Sequence, residues 1–78
     1  MFEEKIVEVD NKENYYVIKQ TMYEGSIYLL TNMLVDDDTP SDDYYILRVD
    51  QDGDKLKMIV IKDEPILTTL KEIFAKSL

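Results

Sequence analysis

Residues 44–61 read YYILRVDQDGDKLKMIVI, and the fold follows from how this stretch turns back on itself. Two runs rich in aromatic, β-branched and other apolar residues flank Asp52-Gly53. Asp-Gly suits a two-residue type I′ turn, because both central residues need positive φ and Gly takes it without a Cβ clash. A turn there pairs Asp50 with Lys55, Val49 with Leu56, Leu47 with Met58 and Tyr45 with Val60. Side chains alternate between faces, so Tyr45, Leu47, Val49, Leu56, Met58 and Val60 share one face. All six are apolar or aromatic. The opposite face carries Asp50 beside Lys55, Arg48 opposite Lys57, then Ile46 and Ile59. It is charged near the turn and apolar further away, so only its far end is expected to be covered.

Asp50, Asp52 and Asp54 alternate like the start of an EF-hand calcium loop. That loop needs Gly at its sixth position and a bidentate Glu at its twelfth. Counted from Asp50, Gly53 is fourth and Ile61 stands twelfth, so the stretch reads as a plain turn with no metal ligands assigned.

The chain has 78 residues, the size of a single small domain (1–78), near the lower limit for folding on a hydrophobic core alone. It has no Cys and no His, which removes disulfides and ordinary zinc or haem sites. Stability then rests on the core, which the 45% hydrophobic content can supply. The start, MFEEKIVEVD, is acidic from its third residue and lacks the basic and apolar regions of a signal peptide. No apolar run reaches transmembrane length, and a cytoplasmic protein is expected. Seventeen acidic against nine basic residues give a net charge of −8. Direct binding to nucleic acid or to anionic membranes is disfavoured, since both repel such a surface. Such charge keeps proteins soluble, and it also suits a protein partner with a basic surface.

Glu4 to Asp10 alternates charged and apolar residues and reads as an edge strand, with Val7 and Val9 on one face. Asn11 to Asn14 is a polar turn. Tyr15 to Tyr23 and Ser26 to Met33 are strands joined at Glu24-Gly25. A two-residue loop there pairs Met22 with Ile27, Gln20 with Leu29, Lys19 with Leu30 and Ile18 with Thr31, with a longer loop or a bulge as the alternatives. Residues 35–43, VDDDTPSDD, mark the sharpest change in composition and read as an exposed, mobile acidic loop between the hairpins. Lys62 ends the last strand. Asp63-Glu64-Pro65 is a helix start, with acidic residues near the positive end of the dipole and Pro in the first turn. Ile66, Leu67, Leu70, Ile73, Phe74 and Leu78 form one helical stripe. The expected fold is α+β: an antiparallel sheet of four to five strands built from hairpins, with one C-terminal helix packed on one face.

The order of these features resembles a family of small acidic bacterial proteins, the YrzB-like domain of unknown function. The matching features are the Asn11–Asn14 turn, Tyr23-Glu24-Gly25 followed by Ser26-Ile27-Tyr28-Leu29-Leu30, the acidic stretch Asp36–Asp43, Tyr45-Ile46-Leu47-Arg48-Val49, and a terminal helix after Asp63-Glu64. The resemblance implies an intracellular bacterial protein and supplies no activity, so no functional residue is carried over from it.

The search for chemistry returns no catalytic residues and no cofactor. Gly25 and Gly53 are the only glycines, each used in a turn, so no phosphate-cradling loop exists. Ser26, Ser41 and Ser77 have no neighbouring base. The acids cluster in turns, where water levels their pKa values instead of splitting them into acid and base. Six tyrosines remain, and in the adjacent pairs Tyr15-Tyr16 and Tyr44-Tyr45 one ring faces inward and the other outward. Outward Tyr beside acidic segments makes a good protein-binding surface. The expected function is therefore a small acidic, non-enzymatic protein-interaction module, regulatory or adaptor in role. The alternative is a nucleic-acid-mimicking inhibitor, of anti-CRISPR or anti-restriction type, whose carboxylates occupy sites meant for phosphates. The candidate partner-binding residues are Asp36, Asp37, Asp38, Asp42, Asp43, Tyr44, Asp50, Asp52 and Asp54. An exposed sheet edge could equally pair with a second copy, so the oligomeric state stays open.

Overall fold

The computed structural model describes residues 1–10, 12–36 and 39–77. Five strands, β1 (Ile6–Val9), β2 (Glu13–Tyr23), β3 (Ser26–Leu34), β4 (Pro40–Asp52) and β5 (Lys55–Val60), precede a helix, α1 (Glu64–Ser77). The strands form one antiparallel sheet in the order β1-β2-β3-β4-β5. This is the expected α+β architecture. The sheet curls until its two edge strands, β1 and β5, come within 8 Å of each other at points, yet they are not hydrogen-bonded neighbours.

The curl decides which side of the sheet is covered by what. The all-apolar face of β4 and β5 lines the inside of the curl, where Val9, Tyr15, Val17, Leu29 and Leu47 are buried with Phe2. The helix packs outside, on the other face, where Leu70 and Phe74 meet Tyr28 and Ile46. Arg48 and Asp50, nearer the turn on that face, remain half exposed. Only the apolar end of the second face is thus covered, as its charge pattern predicts. Leu70 and Phe74 are essentially fully buried. At about 1.5–3 kcal/mol for each such side chain, this contact holds the helix to the sheet.

The last hairpin turns one residue later than its Asp-Gly suggests. Asp52 pairs with Lys55, which makes Gly53-Asp54 the central residues. Gly53 alone of the two has positive φ, at 63°, which fits a type II′ turn with Gly first. Pairing shifts by two residues, so every side chain keeps its face. The shift replaces a like-charge pair by an opposite one: Asp50 now faces Lys57, and Arg48 faces Ile59. Arg48 then reaches Asp50 on its own strand through two hydrogen bonds, from Nε at 2.8 Å and Nη2 at 3.0 Å.

The first long hairpin keeps its expected loop. Glu24 and Gly25 have φ of 49° and 82°, and Met22–Ile27, Gln20–Leu29 and Lys19–Leu30 pair as predicted. Beyond them a bulge between Val17 and Lys19 replaces the expected Ile18–Thr31 pair with Val17–Thr31. The bulge brings Tyr15 and Val17 to the inner face in place of Tyr16 and Ile18, and adds the bend a curled sheet needs. Thr31, the one buried polar side chain among the described residues, donates from Oγ1 to the Tyr45 carbonyl at 2.9 Å.

Four expected boundaries move. The edge strand expected over Glu4–Asp10 is limited to Ile6–Val9, because Glu4 takes φ 63° in a bulge opposite Val17. The Glu4 N–H donates to Val17 O, and the Val17 N–H to Lys5 O, each at 2.8 Å. That kink turns the chain so that Phe2 enters the core, where its own N–H donates to Gln20 Oε1 at 2.8 Å. Of the turn expected over Asn11–Asn14, Glu13 and Asn14 instead pair with Val9 and Glu8, and Asn11 lies outside the described residues. The loop expected over 35–43 is shorter, since β4 begins at Pro40, opposite Leu34. Pro is tolerated as the first residue of a strand. The Asn32 side chain donates to the carbonyls of Ser41 and Asp43 at 3.4 and 3.5 Å, bracing this acidic segment against β3. At its other end β5 stops at Val60, and Lys62 lies in the link to the helix.

Candidate functional site

The seven candidate residues that are described do not form one surface. Strand β4 carries Asp42, Asp43 and Tyr44 at its start and Asp50 and Asp52 at its end, with Asp54 in the turn beyond. The nine steps from Asp43 to Asp52 span roughly 30 Å at strand rise, close to the longest dimension of the molecule, 33 Å. Asp36 accepts the Thr39 N–H at 3.1 Å, beside the start of β4. Asp37 and Asp38 lie outside the described residues. At the far turn, Asp52 and Asp54 are exposed, while Asp50 is engaged by Arg48. The hydrogen bonds from Arg48, with its charge and that of Lys57, hold the Asp50 carboxyl below its ordinary value.

The two adjacent tyrosine pairs divide as alternation requires. Tyr15 is buried and Tyr45 half-buried, their rings edge to face with centroids 5.7 Å apart. Tyr44 points to the helix side of the sheet and is 65% exposed. Tyr23 and Tyr28 lie against the helix, so they belong to the core rather than to a binding surface.

Tyr44 stands on the lip of a groove of about 380 Å³ between the start of α1 and the adjoining ends of β4 and β5. Leu30, Ile46, Ile61 and Leu67 line it with apolar surface, and Lys62, Glu64 and Lys71 contribute charged groups. Its geometry comes from a short connection. Only residues 61–63 separate β5 from α1, so the first helical turn starts directly beside the sheet. The Leu67 N–H bonds to the Asp63 carbonyl at 2.9 Å, which places Asp63 at the cap position expected of it. Sequence reasoning found Tyr44 but missed Leu30, Ile61, Lys62 and Lys71. The available signal was the brevity of the link after Ile61, which obliges the helix to begin beside the starting half of β4.

Neither a curated protein nor a solved structure matches the chain. The sequence profile of one family, DUF1292, matches residues 8–78. The chain belongs to that family. It is described as a protein of unknown function, so what this DUF1292 member does must be argued from its own surface. Among the described residues the DUF1292 fold gathers no group of three His, Cys, Asp or Glu suited to a metal. No described helix is long and apolar enough to cross a membrane. What the fold does present is an exposed aromatic ring beside an apolar groove, with Asp42 and Asp43 immediately before it.

Proposed function

We propose that this chain is a small, non-enzymatic protein-interaction module of the cytoplasm, regulatory or adaptor in role, and a YrzB-like member of its family. The observation that carries the reading is Tyr44, 65% exposed at the lip of the groove formed by Leu30, Ile46, Ile61 and Leu67. An exposed Tyr gives large contact area at small entropic cost, and an apolar groove beside it can receive a partner's anchor side chain. Asp42 and Asp43 add a local negative charge that suits a partner with a basic surface.

The inhibitor that mimics nucleic acid is the second reading. It draws on the net charge of −8. It has less support in the geometry, because its carboxylates are split between the two ends of β4 and Asp50 is engaged by Arg48.

The test is to immobilise the protein and its Tyr44→Ala variant, expose both to a bacterial lysate at low and high salt, and identify captured proteins by mass spectrometry. The expected result is a partner retained at high salt by the parent and lost with Tyr44→Ala. A nucleic-acid enzyme captured only at low salt, and displaced by added DNA, would support the mimic instead, since that binding rests on screened charge. Capture indifferent to Tyr44→Ala removes the groove as the site.

A further inference from the structure

Tyr44 and the groove beside it form a surface that complements itself. Among the described residues Tyr44 carries the one aromatic ring classed as exposed, at 65%. It stands on the lip of an apolar groove of about 380 Å³, between Leu30 and Ile46 on the sheet and Ile61 and Leu67 at the start of the helix. An aromatic knob and an apolar hole thus lie side by side on one chain, and the ring's exposure leaves it free to enter a hole on another.

Charge beside the knob and charge beside the hole are complementary too. Asp42 and Asp43, both exposed, immediately precede Tyr44. Lys62 and Lys71 border the groove from the link and the helix, with Glu64 offsetting part of their charge, so that wall stays net positive. Neither lysine forms an ion pair with a described residue, since the only such pair joins Arg48 to Asp50 near the other end of β4. A uniformly basic partner would suit Asp42 and Asp43 but meet Lys62 and Lys71 with like charge. A second copy meets both. Under a two-fold axis passing between knob and hole, each Tyr44 enters the other copy's groove and each Asp42-Asp43 pair faces the other's two lysines. A knob and hole side by side close in this isologous way, whereas a knob and hole on opposite faces would propagate into a filament.

We propose that the occupant of the Tyr44 groove is a second copy of this chain, bound as a two-fold dimer with the tyrosines exchanged. The inference rests on the reading of the groove as an interaction surface and names what fills it. Burial of the ring against the apolar lining supplies the affinity, and the charge pairs fix the orientation. The contact is made by one strand end and the start of one helix, and two bodies of net charge −8 repel at long range. The dimer is therefore weak, dissociating in the range of roughly 10 μM to 1 mM. It covers the surface that another partner would use, so self-association and capture of that partner compete.

The test is sedimentation equilibrium of the whole chain from about 10 μM to about 2 mM, in about 0.15 M salt, where a Debye length of about 8 Å screens the net repulsion. The parent should double its mass across this range. Tyr44→Ala, at an exposed position, should weaken the dimer by at least about thirtyfold, since an anchor is lost from both halves, and Tyr44→Phe should keep it. Charge exchange separates this interface from any other. Asp42→Lys with Asp43→Lys makes both sides of the groove basic, and Lys62→Glu with Lys71→Glu makes both acidic, so each double variant alone should stay monomeric. An equimolar mixture of the two should dimerise, because every basic side then meets an acidic one. A parent that stays monomeric throughout overturns the inference, and it leaves the groove's wider reading intact if Tyr44→Ala still loses a captured partner. A dimer indifferent to Tyr44→Ala overturns it as well, since that dimer uses another face, such as the seam where β1 and β5 approach each other. So does a mixture of the two double variants that fails to pair. A Tyr44-dependent dimer from a chain that captures nothing from a lysate supports the inference and leaves the second copy as the groove's partner.

Discussion

Tyr15 shows how much a single inward ring is asked to do. It is buried, edge-on to Tyr45, with its hydroxyl donating to Glu13 Oε1 at 3.5 Å. Burial raises its pKa above the ordinary value, and the charges of Glu13 and Tyr45 push in the same direction. A raised pKa means that the folded state holds the phenol proton longer than the unfolded chain does. The contribution is fully present below the unfolded value, about pH 10, and is lost as pH rises through the folded one. Stability of the parent should therefore fall above about pH 10, and Tyr15→Phe should flatten that fall. Urea midpoints across an alkaline pH series measure both, and identical slopes for the two proteins would show that Tyr15 is not the group responsible. That one ring of each adjacent tyrosine pair faces inward was legible from alternation. Which ring of Tyr15-Tyr16 does so was settled by the bulge after Val17, because one extra residue exchanges the faces of everything before it.

At the scale of elements, both long hairpins were legible and their turns only partly so. Glu24 occupies a φ of 49° that costs a residue with a Cβ, while Gly25 after it does not share the strain. Glu24→Asn gives the Asn-Gly pair that type I′ turns prefer, and should stabilise the protein by about 0.5–1 kcal/mol. A denaturation midpoint unchanged or lowered would mean that the turn is not strained as its backbone indicates. The Asp52-Gly53 pair misled because turn preference is worth less than the cross-strand partners that a register selects. Moving the turn to Gly53-Asp54 separated Arg48 from Lys57 and kept all side chains on their faces. The helix was read correctly from its cap and stripe, with Leu78 beyond the described residues. Leu70, buried against the outer face of the sheet, should cost about 2–5 kcal/mol when changed to Ala. Leu56, although part of the same apolar alternation that defined β5, is 55% exposed, and its change to Ala should cost no more than about 0.5 kcal/mol. Equal costs at the two positions would contradict the assignment of core and rim.

For the molecule as a whole, seventeen acids against nine bases on a small surface mean self-repulsion in the folded state. The single ion pair found among the described residues, Arg48 with Asp50, is half exposed and offsets little of it. Melting temperature should therefore rise as sodium chloride goes from a few millimolar to about 0.15 M, where the Debye length shrinks to about 8 Å. A fall in melting temperature over that range would show that attractive pairs, rather than net repulsion, dominate. The sequence by itself determined the hairpins, the helix and the face on which each β4 and β5 side chain lies. Each of these depends on local alternation or on residue type, which neighbours along the chain fully specify. Only the tertiary structure decided that the apolar face is closed by the curl of the sheet and the helix sits outside, because both arrangements bury the same residues and differ only in accumulated twist. It alone drew Asp42 and Asp43 out of the expected loop and into the start of β4, because pairing with β3 runs on to Pro40. It alone brought β1 and β5 into the seam, for the two ends of a sheet meet only when every intervening strand has added its share of the bend.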